Sequence, residues 1–396
     1  MTTRVLHVSD THLGYQQYRS EQRRRDFFAA FQQVIDIATG QHPDHDVGPV
    51  DAVLHTGDLF DDQRTSFDDI FYCQQALAEL AEADIPFYII VGDHEQRRGI
   101  DFVEVYESAG LAERLEREPT ELEDVALYGI DAVRDREWET TKFSLVEPTD
   151  ESLLRVVAMH EFFSPPEDSY PHAYELEPAI DRFEIDIDGV ALGDVHERQS
   201  ANCNGIPVWY PGSTERNKRD ERPDRSVDLL TFDVDAETEF QRDRVVLDTR
   251  PFVEVEVDFG RGDGFELVEE RVADSGPVEG TVTFVDLDGE DNSVTKRQVI
   301  EYLRDKNVVK AKVTDERATP DFEDEIAEGG ADISVDPAIA GAVDELNLSG
   351  PAASLERVAR DLDTGPTKVE GEAADLLGDL VRDEFEGDSY FEEGQT

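Results

Sequence analysis

The sequence predicts an α/β fold, and two observations support this prediction. Short β-rich segments alternate with amphipathic helical segments along the first third of the 396-residue chain. Such alternation is typical of βαβ units, in which helices cover the faces of a largely parallel, buried sheet. In addition, several β-rich segments end abruptly on Asp or His. Because ligands bind beyond the carboxyl ends of strands in open α/β sheets, these ends indicate a functional edge.

The predicted elements follow one another in a regular order. Residues 4–10 are the first β-rich segment, and the helical segment 24–40 carries Phe27, Phe31 and Val34 on one face. The other predicted elements are a helix at 67–84 and strands at 50–58, 85–93, 125–130, 154–160, 189–193, 206–210 and 227–234. Residues 1–250 are therefore predicted to form the larger α/β domain.

The pattern changes near residue 251. Residues 251–315 alternate in the order β-α-β-α-β, which predicts a small second domain. Residues 316–337 are acidic, contain Pro and Gly and show no period, which is typical of a linker. Residues 338–396 carry short helical patterns. Since such short helices are marginal alone, we interpret them as a segment that docks on a partner, with a frayed tail as the alternative.

The charge of the chain indicates adaptation to salt. There are 94 acidic residues against 37 basic ones, a formal net charge of -57. Self-repulsion of this size destabilises a compact state in dilute buffer. Salt at about 1 M shortens the screening length to roughly 3 Å and makes such a surface tolerable. We interpret the acidity as a salt-adapted surface, from a cell with a salty cytoplasm. The alternative, an acidic disordered protein, is excluded by the periodicity up to residue 315 and stays open near the C-terminus.

The sequence also predicts the compartment. It has no stretch near the roughly 20 apolar residues that a membrane span needs. The N-terminal MTTRVLHVSD lacks the apolar region of a signal peptide. Two cysteines are too few for a disulfide framework. We therefore expect a cytoplasmic protein without a membrane partner.

Carboxylate and imidazole side chains recur where predicted strands end. They belong to five strand ends and comprise Asp10, His12, Asp58, Asp93, His94, His160, Asp194 and His196. Residues two apart in an extended chain share a side, so His12 can converge with Asp10, and His196 with the aspartate two positions before it. Oxygen and nitrogen donors without thiolates suit Mn²⁺ or Mg²⁺ better than Zn²⁺ or iron. Two such ions bridged by one carboxylate can promote hydrolysis of a phosphate ester.

The motif series DTH, GDLFD, GDHE, MH and GDVH resembles the metal-binding motifs of the calcineurin-like metallophosphoesterases. The segments HVSDTHLGY, HTGDLFDD and VWYPGSTER are closer still to one branch, the DNA double-strand-break repair nucleases of the meiotic recombination eleven and SbcD type. The resemblance covers about residues 1–315 and, more loosely, the C-terminal helical segment. It implies a β-sandwich flanked by helices, a small α/β capping domain that binds DNA, and a helical tail.

The resemblance also implies roles for the matching residues. One ion would be held by Asp10, His12 and His196, and a second by Asp93, His160 and Asp194, with Asp58 bridging both. His94 would be the catalytic histidine that contacts the scissile phosphate and helps the leaving group depart. The family usually has Asn where Asp93 stands and His where Asp194 stands. Four carboxylates would therefore face the two ions, and a weakened or single-metal site is the alternative.

These roles imply a nuclease with two Mn²⁺ ions per chain, and Mg²⁺ is the alternative ion. It would act as an exonuclease and endonuclease on double-strand DNA ends, as a nucleoid-associated homodimer, together with an SMC-like coiled-coil ABC ATPase. One alternative is a related phosphatase or cyclic-nucleotide phosphodiesterase, which would not need the segment 251–315. Another is a scaffold that tethers DNA ends and regulates the ATPase with weak or no nuclease activity.

Arginines near the motifs are candidates for contacts with DNA phosphates. The candidates are Arg19, Arg24, Arg97 and Arg216. Around a phosphodiester site in so acidic a chain, they would offset the repulsion of DNA. The alternative is salt bridging with nearby acids, which is worth little at a surface.

Other polar residues near the motifs have a structural interpretation. His7 and His55 lie within predicted strands and are expected to pack there rather than bind metal. Asp61 and Glu95 follow the second and third motifs and are expected to lie beside the metal ligands without being ligands themselves.

Overall fold

The fold is taken from a computed structural model that describes residues 2–96, 100–290 and 293–317. Nearly all of the predicted linker at 316–337 and all of the predicted helical segment at 338–396 lie outside the described residues. The account below concerns the described part of the chain.

Strands and helices alternate from Thr3 to Ser108, as the sequence predicts for the first third of the chain, whereas the residues between 189 and 259 contain consecutive strands. The strands are β1 (Thr3–Val8), β2 (Ala52–His55), β3 (Phe87–Ile89), β4 (Glu113–Arg114), β5 (Thr120–Glu121), β6 (Val125–Ile130), β7 (Leu154–His160), β8 (Phe163–Ser164), β9 (Tyr174–Glu175), β10 (Gly189–Gly193), β11 (Gln199–Cys203), β12 (Ile206–Tyr210), β13 (Ser226–Phe232), β14 (Phe240–Val246), β15 (Phe252–Phe259), β16 (Val282–Gly289) and β17 (Lys310–Asp315). The helices are α1 (Glu21–Ala38), α2 (Phe67–Glu82), α3 (Phe102–Ser108), α4 (Asp135–Trp138), α5 (Leu176–Ile180), α6 (Phe265–Asp274) and α7 (Lys296–Asp305). In the described ranges, none of these helices combines the length and the apolar character needed to cross a membrane.

Two mixed six-stranded sheets form the larger part of the fold. The first has the order β14-β13-β1-β2-β3-β4, and the second has the order β11-β12-β10-β7-β6-β5. Parallel pairing joins β1, β2 and β3 in the first sheet and β6, β7, β10 and β12 in the second. In the first sheet β4 also pairs in parallel with β3, and antiparallel β13 lies on the other side of the group. Antiparallel β5 and β11 lie on the two sides of the second group. The expectation of a single, largely parallel sheet is therefore wrong, whereas the β-sandwich implied by the family resemblance is confirmed.

The two sheets share one core. Successive residues of a strand point to opposite faces, so Val5 of β1 lies between the sheets while Leu6 faces the helices. Leu54 of β2 and Val156 of β7 contribute to the same core between the sheets. Helices α1, α2 and α3 cover the outer face of the first sheet, and α4 and α5 cover that of the second. This layering leaves the carboxyl ends of strands from both sheets at one common edge.

The strands β15, β16 and β17 form a separate parallel sheet with its own core beneath α6 and α7. Arg219 connects this small sheet to the larger part through Glu254 of β15 and Asp286 of β16. Arg250, just before β15, forms an ion pair of 2.5 Å with Asp26 of α1. These ion pairs fix the small sheet to the larger part of the fold.

Candidate metal centre

The candidate centre lies where strands of both sheets end on the same side. In the first sheet Val8, His55 and Ile89 are paired in register, so the segments that follow β1, β2 and β3 begin at neighbouring points. In the second sheet His160 pairs with Gly193, so β7 and β10 end level with each other. These registers bring together the side chains of Asp10, His12, Asp58, Asp93, His94, His160, Asp194 and His196.

Two of the glycines that precede an aspartate are required by the close approach of the strand ends. A Cβ atom on Gly92 would overlap the Asp58 carboxylate. A Cβ atom on Gly193 would overlap the carbonyl oxygen of Thr56. A side chain at either position would push a neighbouring strand end away, which explains the Gly-Asp sequence at both ends.

Several of the converging residues adopt a left-handed backbone conformation. The φ angles of Asp10, His12, Asp58 and Asp194 are 52°, 42°, 57° and 90°. A non-glycine residue held in this region costs on the order of 1–3 kcal/mol, and such residues cluster at functional sites. The surrounding sheet ends therefore hold these four side chains in positions that ordinary strand or helix geometry would not give them.

The donor atoms form two neighbouring groups. One contains Asp10, His12 and His196, and the other contains Asp93, His160 and Asp194, with one ligand atom of each residue within 4.8 Å of the others. Asp58 lies between them. Its Oδ2 is 3.8 Å from Nε2 of His12, and its Oδ1 is 3.5 Å from Nε2 of His160. This arrangement could hold two cations with Asp58 shared between them.

The hydrogen bonds of two imidazoles fit a metal site. Nδ1 of His160 donates to the carbonyl oxygen of Thr56 at 2.6 Å, which leaves Nε2 as the nitrogen that faces Asp58 and Asp93, each at 3.5 Å. This buried Nε2 has no hydrogen-bond partner among the described residues. Nδ1 of His196 donates to Glu221 at 2.8 Å, and its Nε2 faces Nε2 of His12 at 3.1 Å. At this distance one ring can donate a hydrogen bond to the other, and a cation that replaced this proton would be bound by both nitrogens.

Burial controls the protonation of the metal-free centre. It raises the pKa of Asp194 to about 8, and the nearby charge of Asp10 adds to this effect. It lowers the pKa of His12 to about 3, so this imidazole is neutral and able to ligate a metal. For Asp58, burial raises the pKa, but the charge of the neighbouring His160 lowers it more, and the net pKa is below its usual range. The centre therefore contains a carboxylate that is ionised and one that holds a proton.

The proton on Asp194 predicts a pH dependence of metal binding. The folded pKa of about 8 lies above the ordinary value of 3.8. The stabilisation linked to this group is therefore present below about pH 4 and is lost as the pH rises through about 8. A cation competes with that proton, so Mn²⁺ should raise the Tm of the chain more at about pH 9 than at about pH 6. Calorimetry in molar KCl with and without Mn²⁺ measures this difference.

Asp194→His provides the matched comparison for this prediction. An imidazole has an ordinary pKa of about 6.5, so its competition with the metal ends at a lower pH. In this variant we expect the increase in Tm caused by Mn²⁺ to reach its full size at a lower pH than in the parent. If Asp194→His leaves the pH profile where it was, Asp194 is not a group that exchanges its proton for the metal.

His94 lies at the opening of the centre. Its Nδ1 donates to the carbonyl oxygen of Asp61 at 2.6 Å, and its Nε2 is 4.0 Å from Oδ2 of Asp58. The side chain is 43% exposed, whereas His160 is fully buried. An imidazole held by one nitrogen at the edge of the centre can reach both the donor groups and a substrate in solvent.

Glu95 and His7 have structural contacts. The buried Glu95 carboxylate accepts hydrogen bonds from the backbone N–H groups of Phe60 and Gly92 at 3.0 and 3.2 Å. Burial raises the pKa of Glu95 to about 8. His7 accepts a hydrogen bond from Nε1 of Trp209 at 2.9 Å. The expectation that His7 packs in its strand is confirmed, and the expectation that Glu95 lies beside metal ligands stays a prediction.

Glu221 is a site residue that sequence reasoning missed. It accepts a hydrogen bond from Nδ1 of His196 and a second from the backbone N–H of Asn217 at 2.7 Å. A carboxylate on the outer nitrogen of a ligand imidazole fixes the ring and its tautomer. The sequence gives little indication of this role, because Glu221 lies in a loop rich in acidic and basic residues that contains no recognisable motif.

The candidate phosphate-binding arginines have different surroundings. Arg24 donates to Asp69 at 2.6 and 3.0 Å. Arg216 is only 6% exposed and donates to backbone carbonyl oxygens of its own loop. Their guanidinium groups thus already have partners within the chain, and a phosphate-binding role of these two residues stays a prediction. Arg19 is exposed, and Arg97 lies outside the described residues.

The fold and the centre agree with a known class of protein. Residues 3–198 match the family model described as calcineurin-like phosphoesterase. The matched range includes β1 to β10 and all eight donor and catalytic candidates. Residues 3–198, just under half of the chain, are thus a phosphoesterase domain of this class, and members of the class bind divalent metals.

Comparison with individual proteins identifies the family within this class. The chain is 36% identical to the DNA double-strand break repair protein Mre11 of Haloferax volcanii, over all of this chain and 87% of the relative. It is 34% identical to the protein of the same name from Halobacterium salinarum, over 90% and 89% of the two chains. A relative of that name from Methanosarcina mazei is 32% identical over 96% of this chain and 60% of its own length. The chain belongs to the Mre11 family. The halophilic relatives agree with the salt-adapted interpretation of its composition.

Proposed function

We propose that this chain is a Mn²⁺-dependent DNA nuclease that hydrolyses phosphodiester bonds at double-strand breaks, with exonuclease and endonuclease action. The observation that carries the proposal is the convergence of seven oxygen and nitrogen donors with Asp58 between two groups. Membership in a family of DNA double-strand break repair proteins supports DNA as the substrate. Hard carboxylate oxygens combined with imidazoles, without thiolates, favour Mn²⁺ over softer ions.

We assign one ion to Asp10, His12 and His196 and the other to Asp93, His160 and Asp194, with Asp58 shared. When bound, the pair of divalent cations supplies Lewis acidity for in-line attack of water on phosphorus. The four carboxylates of this set balance the formal charge of the two ions. Glu221 holds His196 through Nδ1, and the Thr56 carbonyl oxygen holds His160 in the same way.

His94 is the proposed proton donor to the leaving oxygen. Partial burial lowers its pKa, but the charge of Asp58 and the hydrogen bond to the Asp61 carbonyl oxygen raise it more. The net pKa lies above the ordinary value, so a protonated fraction is present near neutral pH. With Nδ1 fixed on Asp61, the Nε2 proton is the one available for the departing oxygen.

The proposed metal dependence is tested by removing and returning the ion. Chelation of divalent cations should abolish cleavage of linear DNA in molar KCl, and Mn²⁺ should restore it more effectively than Mg²⁺ at the same concentration. Cleavage that persists at full rate after exhaustive chelation would show that the centre does not use a metal. Equal restoration by both ions would retain the two-ion centre but remove the preference for Mn²⁺.

We further propose that the chain forms a homodimer and acts on DNA ends with an SMC-like coiled-coil ABC ATPase. The aromatic side chains of Phe67, Phe71 and Tyr72 on α2 are 90%, 55% and 55% exposed. Exposed apolar patches of this kind are typical of interaction surfaces. Light scattering in molar KCl should give the mass of a dimer for the parent and of a monomer for Phe71→Asp. A monomeric parent would contradict the dimer.

A further inference from the structure

An open cleft leads to the candidate centre, and its walls are acidic. The cleft has a volume of about 680 Å³, and His12, His94, Asp194 and His196 lie along it. Among the described residues, the other charged ones that line it are the acids Asp61, Glu167, Glu197, Asp220 and Glu221 and a single cation, Lys218. Apart from the metal ions, this cleft offers little positive charge to the phosphates of a DNA strand.

Contacts with phosphates are also weak in the medium that the composition indicates. Concentrated salt reduces binding that depends on the release of counterions from DNA. Arg24 and Arg216 donate to groups of the chain itself, whereas Arg19 is exposed. A contact near the centre that is not electrostatic would therefore add to the grip on a substrate strand at high salt.

An aromatic stack beside the cleft offers such a contact. Phe162 lines the cleft, and its inner side packs against the core of the second sheet. Its ring stacks on that of Tyr170, with a centroid distance of 4.3 Å and an interplanar angle of 28°. Tyr170 is 44% exposed, and its neighbour Ser169 lines the cleft. The stack thus runs from the core to a tyrosine ring open to solvent beside the metal centre.

The loop that carries the stack is fixed at several points. Ser169 donates its backbone N–H to Glu167 at 2.9 Å, and Gln199 of β11 donates to the other oxygen of the same carboxylate at 2.6 Å. The ring of His172 meets Tyr170 edge-on at 5.9 Å. The tyrosine is therefore held in place before a ligand arrives, which limits the entropy lost on binding.

We propose that Tyr170, supported by Phe162, is a stacking platform for an unpaired nucleobase of the DNA strand whose phosphate enters the metal centre. This inference rests on the proposed nuclease function and adds to it a preference for single-stranded or frayed DNA. Stacking of a base on an aromatic ring tolerates any sequence, because every base has a π-face. High salt does not weaken this stacking, because stacking does not depend on the charge of the phosphates.

The binding test uses a single-stranded oligonucleotide that contains 2-aminopurine, in molar KCl with a chelator present. The parent should bind it and quench its fluorescence. Tyr170→Leu, which keeps an apolar side chain but loses the ring, should bind about 10-fold to 100-fold more weakly. Tyr170→Phe should bind like the parent because it keeps the ring. Equal binding by the parent and Tyr170→Leu would overturn the inference.

The cleavage test separates stacking from a structural role of the loop. With Mn²⁺, Tyr170→Leu should raise the KM for an ordinary oligonucleotide and leave unchanged the KM for one with abasic nucleotides at the cleaved end. A tyrosine that only supports the loop would change both alike, and that outcome would contradict the inference. If the parent cleaves neither substrate but quenches 2-aminopurine through Tyr170, the nuclease proposal fails while the stacking platform stands.

Discussion

Asp58→Asn is expected to abolish both divalent-metal binding and DNA cleavage. Asp58 is 2% exposed and is shared between the donor groups of His12 and His160. The asparagine keeps the shape of the side chain but removes the negative charge from the middle of the centre. Loss of one partner of a buried charged group costs about 3–5 kcal/mol. Metal affinity should therefore fall by more than about 100-fold.

Calorimetric titration with Mn²⁺ and a cleavage assay, both in molar KCl, measure the two effects. Asp62→Asn is the matched control, because this neighbouring carboxylate is exposed and belongs to none of the donor groups. The control should bind metal and cleave DNA like the parent. An Asp58→Asn variant that keeps the metal affinity of the parent would show that Asp58 does not bridge the ions.

His94→Ala is expected to separate metal binding from catalysis. His94 stands at the solvent side of the centre, with Nδ1 committed to Asp61 and Nε2 free to serve the leaving oxygen. Removal of a positioned proton donor typically lowers the rate by about 10²-fold to 10⁴-fold. Mn²⁺ binding should stay close to that of the parent, since seven other donors remain.

The same titration and cleavage assay distinguish the roles open to His94. Its ring also comes close enough to Asp58 and Asp93 to belong to a donor group. If His94→Ala loses metal affinity as strongly as Asp58→Asn does, His94 is a ligand rather than a proton donor. If it cleaves DNA at the rate of the parent, it has neither role.

The sequence predicts the strand ends well because their signals are local. The strands at 125–130, 154–160 and 189–193 coincide with β6, β7 and β10, since each is a short run of β-forming residues with a clear end. The Asp and His residues at those ends converge because neighbouring strands end in register. Parallel strands that lie next to each other in a sheet favour such a register. The glycines before Asp93 and Asp194 carry the same information, since only glycine fits there.

The rest of the site depends on contacts that are distant in sequence. Glu221 reaches His196 across 25 residues, and nothing in its own segment distinguishes it from the many other acids. Likewise the sequence shows the charge of Arg216 but not its burial. For a related reason, the pattern of apolar residues does not show the two sheets, which only the family resemblance implied. Val5 and Leu6 are both apolar, so alternation cannot reveal that one faces a second sheet and the other the helices.

The central claim is a two-ion centre that uses an acid at Asp194. The most direct test is a crystal structure determined with Mn²⁺ present, in which anomalous scattering locates each ion. The account predicts two ions about 3.5–4 Å apart, with Asp58 between them and a carboxylate oxygen of Asp194 bound to the ion that His160 also holds. A single ion, or an Asp194 carboxylate turned away from both, would contradict it.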